Sequence, residues 1–374
     1  MHSGEELSVT QGAIVALRLF DIAYAIDLAK AEALWAAQAR SGVRSQLSAT
    51  PAKAVAFDVP PLMLALEPMQ LSLLGQTQMP TVSAKLYDFG VVALALRLPV
   101  SGLPWAEYVA LLNAMDAAVG ADADAGQSLW QALLEQLRRT LSTALIKPSI
   151  STMQEDYLLG QVHRWSEPLS ATALLERIDL VPLLSGEKRA LSEGARRDLL
   201  RHRYSHYEDD LVVLTWDRAF IYEPRGDSDV ADVLEVANAQ LLELRYYDEL
   251  LDDELPRMYD LVEATRRAVL LAPRRFAYLA RRLYTLVAEV TELTEKVDNA
   301  LQVTEDVYLA RVYTAALDQF RVNNVSTAVN RKLAIIRDTY TALYDEASST
   351  RGGLMEGAIV LLIVIELVLA LVGH

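Results

Sequence analysis

The sequence predicts an α+β N-terminal domain, then long antiparallel coiled-coil-like helices, then one C-terminal transmembrane helix. Three observations predict it. Up to about residue 225, β-rich apolar runs mix with helical stretches without a regular βα alternation, which suits α+β better than a doubly wound sheet. From Asp229 to Tyr344 no convincing strand pattern remains, and apolar residues recur at alternating steps of three and four, the spacing of a helical seam. Leu354 to Val372 is almost wholly apolar over about 19 residues, the length of one helical pass. The expected organisation is a soluble domain over 1–227, a helical stalk over 228–350 and an anchor over 351–374.

In the first region, AIVALRLF after Gly12 reads as a strand and Leu28 to Arg40 as a helix ended by Ser41-Gly42. Ala54 to Asp58 and Leu62 to Leu66 read as β. Val82 to Leu98 is the longest strand-like run, with Gly90 marking a bulge or a turn. Pro104 precedes a helix over Trp105 to Val119, since a proline is tolerated where a helix starts. Ser128 to Ile146 reads as an amphipathic helix, with leucines at Leu129, Leu133, Leu137, Leu141 and Leu145. Tyr157 to Trp165 reads as a strand, and Thr172 to Leu184 and Ser192 to His202 as helices. Leu211 to Thr215 and Ala219 to Tyr222, around Trp216-Asp217-Arg218, form the clearest hairpin.

In the stalk, Phe276, Leu283, Val290 and Val297 belong to about four heptads of a/d spacing. Val322, Val325, Val329, Leu333 and Ile336 repeat that spacing. Leu234, Ala237, Leu241 and Leu244 begin a third face, which continues past an expected kink at Pro256.

Composition excludes some functions. Of 374 residues, 52% are hydrophobic and none is cysteine, and the net charge is −15. Absent cysteines exclude disulfides, thiolate metal sites and cysteine nucleophiles. The acidity argues against direct DNA binding and general RNA binding, which call for a basic surface. MHSGEELSVTQG has neither the basic start nor the apolar core of a signal peptide. The C-terminal run is therefore the spanning candidate, and it predicts a tail-anchored, single-pass membrane protein. Its body would stay in the cytoplasm, at the inner membrane if bacterial, or on the matrix side if mitochondrial.

The C-terminal patches resemble the DUF155 family, which includes the "required for meiotic nuclear division" proteins of fungi. DLVVLTWDRAFIYE and the following VLEVANAQLLELRYYD are similar to that family's hairpin and long helix. In LTEKVDNALQVTEDVYLARVY, Asp306 and Tyr313 match, while Ala310 or Arg311 stands where an acidic residue is common. In VNRKL, Asn330, Lys332 and Leu333 are kept and Arg331 replaces a glutamate. Glu356 and Glu366 match the closing signature, with Gly357 in place of a tryptophan. The patches cover about the last 165 residues. The resemblance implies a membrane-attached homo-oligomer without established catalytic activity, whose organellar relatives organise ribosomes. It thus implies a ribosomal or other protein partner.

Few residues suggest chemistry. His202 and His206 lie four apart and, with Asp210, would form a weak metal site if one helix carried both imidazoles; the alternative is a polar turn before the hairpin. His163 beside Trp165 reads as a packed strand residue. Asp252, Asp253 and Glu254 would bind a cation or form a solvated turn of helix. Arg266-Arg267, Arg274-Arg275 and Arg281-Arg282 would meet anionic partners or pair with stalk carboxylates. No phosphate-binding glycine loop or nucleophile elbow occurs, and no cofactor is expected. Glu366, inside the apolar run, would favour oligomers through a hydrogen bond to a neighbouring helix or would line a small channel. The expected function is a non-enzymatic, membrane-anchored oligomeric scaffold organising translation or another assembly. The rivals are a metal-dependent enzyme in the α+β domain and an oligomeric channel.

Overall fold

The computed structural model describes residues 7–37, 42–44, 59–149, 151–226, 229–267 and 307–339, with shorter pieces in 278–292 and 341–363. The chain divides into two compact units, Met1–Tyr246 with Lys296–Asn323, and Tyr247–Glu295 with Asn324–His374.

The first unit is organised around one long strand, β1 (Ser8–Asp21). Its neighbours are β8 (Val91–Val100) and β11 (Gln154–Trp165), both antiparallel to it. Beyond β8 follow β7 (Thr81–Leu86), β4 (Leu62–Ala65) and β3 (Gly42–Arg44). Beyond β11 follow β14 (Arg218–Tyr222), β13 (Leu211–Leu214) and β12 (Arg203–Tyr204). The β11–β14 pair is parallel; the pairs flanking it are antiparallel. The expected hairpin is β13–β14. Its turn is tied by Thr215, whose N–H donates to the Arg218 carbonyl at 2.7 Å and whose hydroxyl accepts from the Arg218 N–H at 3.1 Å.

From Gly12 to Asp21, β1 is buried at every position, the mark of a strand covered on both faces. Ile14, Ala16 and Phe20 join a core with α2 (Trp105–Val119) and α3 (Asp124–Leu141) through Tyr108, Leu112, Trp130 and Leu137. Val15, Leu17 and Leu19 are buried on the opposite face. On that face α7 (Val230–Arg267) meets the sheet through its first turns. Residues 233–244 of α7 are all buried, as for a helix enclosed on every side. Further on, the helix alternates between exposed and buried positions and stays helical through Pro256.

Four expected helices end early or are divided. The first is α1 (Leu28–Ala36), capped by the Asp27 carboxylate. α3 stops at Leu141, and Leu145–Pro148 becomes β10, pairing with β2 (Ala23–Ile26). Thr172 to Leu184 divides into α4 (Ala171–Arg177) and α5 (Val181–Ser185), with Pro182 in the first turn of α5. α6 (Glu193–Leu199) ends before His202.

The 82–98 run is two strands, not one bulged strand. Gly90 forms the turn between β7 and β8 with φ +103°, and an added Cβ would lie 1.8 Å from the Ala23 carbonyl oxygen. Gly90→Ala is expected to destabilise the protein by about 2 kcal/mol through backbone strain. Urea unfolding of the variant checks it.

Toward the C-terminus, α8 (Val307–Gln319) buries Leu309, Val312, Ala315 and Ala316. In the following helical residues 322–339, Val322, Val329 and Ile336 are buried, one heptad apart. Most of the Phe276–Val297 seam lies outside the described residues, although Leu283 and Val290 are buried.

The membrane expectation needs correction. No helix among the described residues is long and apolar enough to cross a membrane. The transmembrane helix of the fold class, the single C-terminal pass and the tail-anchored membrane localisation are withdrawn on that finding. Of the expected anchor only Val360, Leu362 and Ile363 are described, while Glu356 and Glu366 lie outside the described residues. The longest described helix, α7, instead carries Asp248, Asp252, Asp253, Glu254 and Arg257 along its second half.

Candidate functional site

The first unit carries a groove of about 890 Å³ between the start of α4 and the 203–208 segment. Ser170 caps α4 by accepting from the Ala173 N–H at 3.2 Å. The next amide, Ala171 N–H, donates to the Glu208 carbonyl at 2.7 Å, so the cap also holds the far wall. Strand β12 leads into this wall from the sheet edge.

Asp210 shapes the wall. One carboxylate oxygen accepts from the His206 N–H at 2.7 Å and the other from the Tyr207 N–H at 3.1 Å. This presents His206 and Tyr207 outward, with Tyr207 50% exposed. The His206 ring packs edge-on to Tyr207 at 4.5 Å and lies 5.2 Å from Tyr308 of α8. Arg225 lies over Tyr207 at 4.8 Å and Arg311 over Tyr204 at 5.8 Å, distances at which a cation is drawn to a ring face. Burial raises the Tyr204 pKa, and Arg311 opposes that rise.

The metal geometry read from the sequence does not form. α6 ends at Leu199, so no helix carries His202 and His206 together. The His202 carbonyl accepts from Leu214 N–H at 3.1 Å, while Asp210 is engaged by two backbone amides. No three His, Asp or Glu among the described residues are grouped to hold a metal ion.

Residues 11–229, which hold this sheet and groove, match the family described as "Uncharacterized protein MJ0711, N-terminal domain". The chain belongs to this family. An MJ0711-type relative, "Uncharacterized protein MJ0711" of Methanocaldococcus jannaschii, is 27% identical over 245 residues, which is 64% of this chain and 73% of the relative. No solved structure matches. The MJ0711 family match ends just before α7, so it takes in the 210–223 hairpin but none of the later C-terminal patches.

The patch residues act as ties. Tyr313 of α8 donates to Gln240 of α7 at 2.7 Å. In the second unit, Lys332 donates to the Asp248 carboxylate at 2.7 Å and to its carbonyl at 3.0 Å, and pairs with Asp252 at 2.7 Å. Burial works against the Lys332 ammonium, but hydrogen bonds and charges from Asp248 and Asp252 outweigh it and raise its pKa. Asn330 reaches Ser326 within its own helix, at 3.5 Å, and Leu333 is half-buried. Asp306 lies outside the described residues. The other two members of the acidic cluster face Arg257, with Glu254 at 3.0 Å and Asp253 at 3.8 Å. The cluster is therefore divided between Lys332 and Arg257. Of the three arginine pairs, only the Arg281 side chain is described, and it is exposed.

Two buried clusters in the MJ0711-type domain and its α7 were not anticipated. Arg218 donates to Asn113 at 2.7 Å and to the Leu183 carbonyl at 2.9 Å, and pairs with Asp116. It thereby ties β14 to α2 and α5. Lys85, 5% exposed, meets Asp232 at 2.6 Å and Glu235 at 3.2 Å, and the Tyr87 hydroxyl donates to Glu235 at 2.6 Å. Burial disfavours the Lys85 ammonium, but the two carboxylates outweigh it and raise its pKa. Burial raises the Glu235 carboxyl, which Lys85 partly offsets. The buried pattern of β7 and α7 signalled that both elements are interior, but nothing local paired Lys85 with residues about 150 positions away.

Proposed function

We propose that the protein is a non-enzymatic scaffold that self-associates through the Tyr204–His206–Tyr207 groove. The observation that carries it is the partly exposed, pre-ordered cluster of three tyrosines, one histidine and two arginines. Tyrosine and arginine are the residues enriched at the energetic centres of protein interfaces, and rings already held by neighbours lose little freedom on binding. Asp210, the carboxylate closest to the histidines in sequence, serves as a loop brace with both oxygens accepting backbone N–H groups. That use favours a binding surface over acid–base chemistry. The DUF155 resemblance of Tyr313, Asn330, Lys332 and Leu333 supports the scaffold reading. It extends it to organising an assembly, of which the translation machinery is one.

Sedimentation velocity of the full chain tests the proposal. The chain is expected to self-associate, and Tyr207→Ala to weaken association by about 30-fold, the effect of one interface hot spot of about 2 kcal/mol. A monomer at every concentration, or unchanged association in Tyr207→Ala, overturns it.

A further inference from the structure

A second cleft, of about 520 Å³, opens at the Trp165 end of β11, where β1 pairs with both β8 and β11. Thr10, Gly12, Arg97, Ser101 and His163 line it, and it shares no lining residue with the groove. Its volume is in the range of small-molecule sites.

The strands are irregular at this point. The β1–β11 register runs Val9↔Trp165, Gln11↔Arg164, Gly12↔Val162. It therefore skips Thr10 on one strand and His163 on the other, and both skipped residues line the cleft. A bulge leaves its extra residue outside the ladder and re-aims the side chain, and bulges concentrate beside functional sites.

Arg97 is the charge of the cleft. Four other arginines of this unit have carboxylate partners: Arg218 with Asp116, Arg196 with Asp179, Arg177 with Glu167 and Arg245 with Glu155. Arg97 instead donates through Nη1 to the neutral amide oxygen of Gln161 at 2.7 Å. No carboxylate among the described residues lies within 4 Å of its guanidinium. Burial is the main influence on its pKa and lowers it, as for a cation without a compensating anion. Gln161 is itself a buried residue of β11, so the guanidinium plane is held in place before any ligand arrives.

His163 adds a second nitrogen group. Its Nδ1 lies 3.1 Å from the Glu223 carbonyl oxygen, which can only accept. Nδ1 therefore carries the hydrogen, and Nε2 donates to an anion when the ring is doubly protonated. Thr10 and Ser101 spend their hydroxyl hydrogens on backbone carbonyls, Thr10 on Arg164 at 3.1 Å and Ser101 on Thr10 at 3.0 Å.

We propose that this cleft binds the oxyanion group, phosphate or carboxylate, of a small molecule, with Arg97 as its charged anchor and His163 beside it. A guanidinium with one edge pinned still offers donors in a fork that fits either group. The chain is strongly acidic overall, at −15, so a site for an anion needs a local cation that no carboxylate neutralises. Arg97 meets that need. The inference does not depend on self-association.

Isothermal titration of the full chain with inorganic phosphate, and separately with acetate, tests it. One of the two anions is expected to bind saturably at one site, and the tighter one identifies the oxyanion. Arg97→Met is expected to weaken that binding at least tenfold, and His163→Gln by a smaller factor, with the thermal midpoint of each free variant near that of the parent. If Arg97→Met proves unstable, Arg97→Lys, which keeps the charge but not the fork, should weaken binding by a smaller factor. Absence of saturable binding for both anions, or binding unaffected by the Arg97 substitutions, overturns the proposal.

Discussion

Lys85→Met is expected to lower the unfolding free energy by about 3–5 kcal/mol, the cost of removing one partner from a buried ion cluster. The substitution keeps the aliphatic volume but leaves the Glu235 carboxylate, 7% exposed, facing Asp232 with no cation between them. Tyr87 still donates to Glu235 and spares part of the loss. The loss should shrink as the pH falls. Burial raises the Glu235 pKa, so the folded state binds more protons than the unfolded chain just above the ordinary carboxylate range, and acid favours folding there. Without Lys85 the rise is larger and the acid rescue stronger. Lys85→Met combined with Glu235→Leu should recover most of the stability, because an apolar replacement of a whole buried pair is often neutral. Urea unfolding of the parent and the two variants at two pH values measures this. A loss below about 1 kcal/mol in the single variant would mean that the cluster contributes no more than a surface pair.

Stability should also fall by about 3 kcal/mol, through Asp21, as the pH rises from about 4 to about 7. Asp21 ends β1 in a buried position, and burial pushes its carboxyl up to about 7, although Ser149, the Ala23 amide and Arg138 pull it down. Its folded pKa exceeds its unfolded value, so between the two values the folded state holds the extra proton. Stability is therefore highest below the unfolded pKa and is lost as the pH rises through the folded one. Asp21→Asn removes this dependence and should be relatively more stable at pH 8 than at pH 5. Burial raises Glu155, Asp156 and Asp217 in the same direction, so a pH slope remains in the variant. The difference between parent and variant isolates Asp21, and parallel pH profiles would count against a raised Asp21 pKa in the folded state.

The two residues illustrate what can be read from a linear chain. The helix Trp105–Val119 was legible to the residue because Pro104 and Gly120 punctuate it. The β13–β14 hairpin was legible because its signal is local. The expected Ser128–Ile146 helix ran too far, since its leucine spacing continued to Leu145 while the chain was taken by pairing with β2, more than a hundred residues earlier. The 230–244 part of α7 showed an apolar stripe with Glu235, Asn238, Gln240 and Glu243 between, which reads as a half-exposed helix. Both sides are in fact covered, and the polar residues are interior.

The candidate sites divide in the same way. His202, His206 and Asp210 drew attention by proximity, and the fold uses Asp210 as a brace and His206 as part of a ring cluster. The Arg97 cleft gave no local signal, because it arises where β1 and β11 pair out of register beside β8. For the apolar C-terminal run, hydropathy was plain in the sequence, but no membrane-crossing helix stands among the described residues.

By itself the sequence determined where chain direction changes and which stretches favour helix or strand, because prolines, glycines and side-chain periodicity act on their nearest neighbours. Only the tertiary structure decided which polar groups are buried and what they meet. Lys85 with Glu235, Arg218 with Asp116 and Arg97 with Gln161 are joined across 64 to 150 positions. Burial and charge pairing depend on distance in space, and spacing along the chain does not report it.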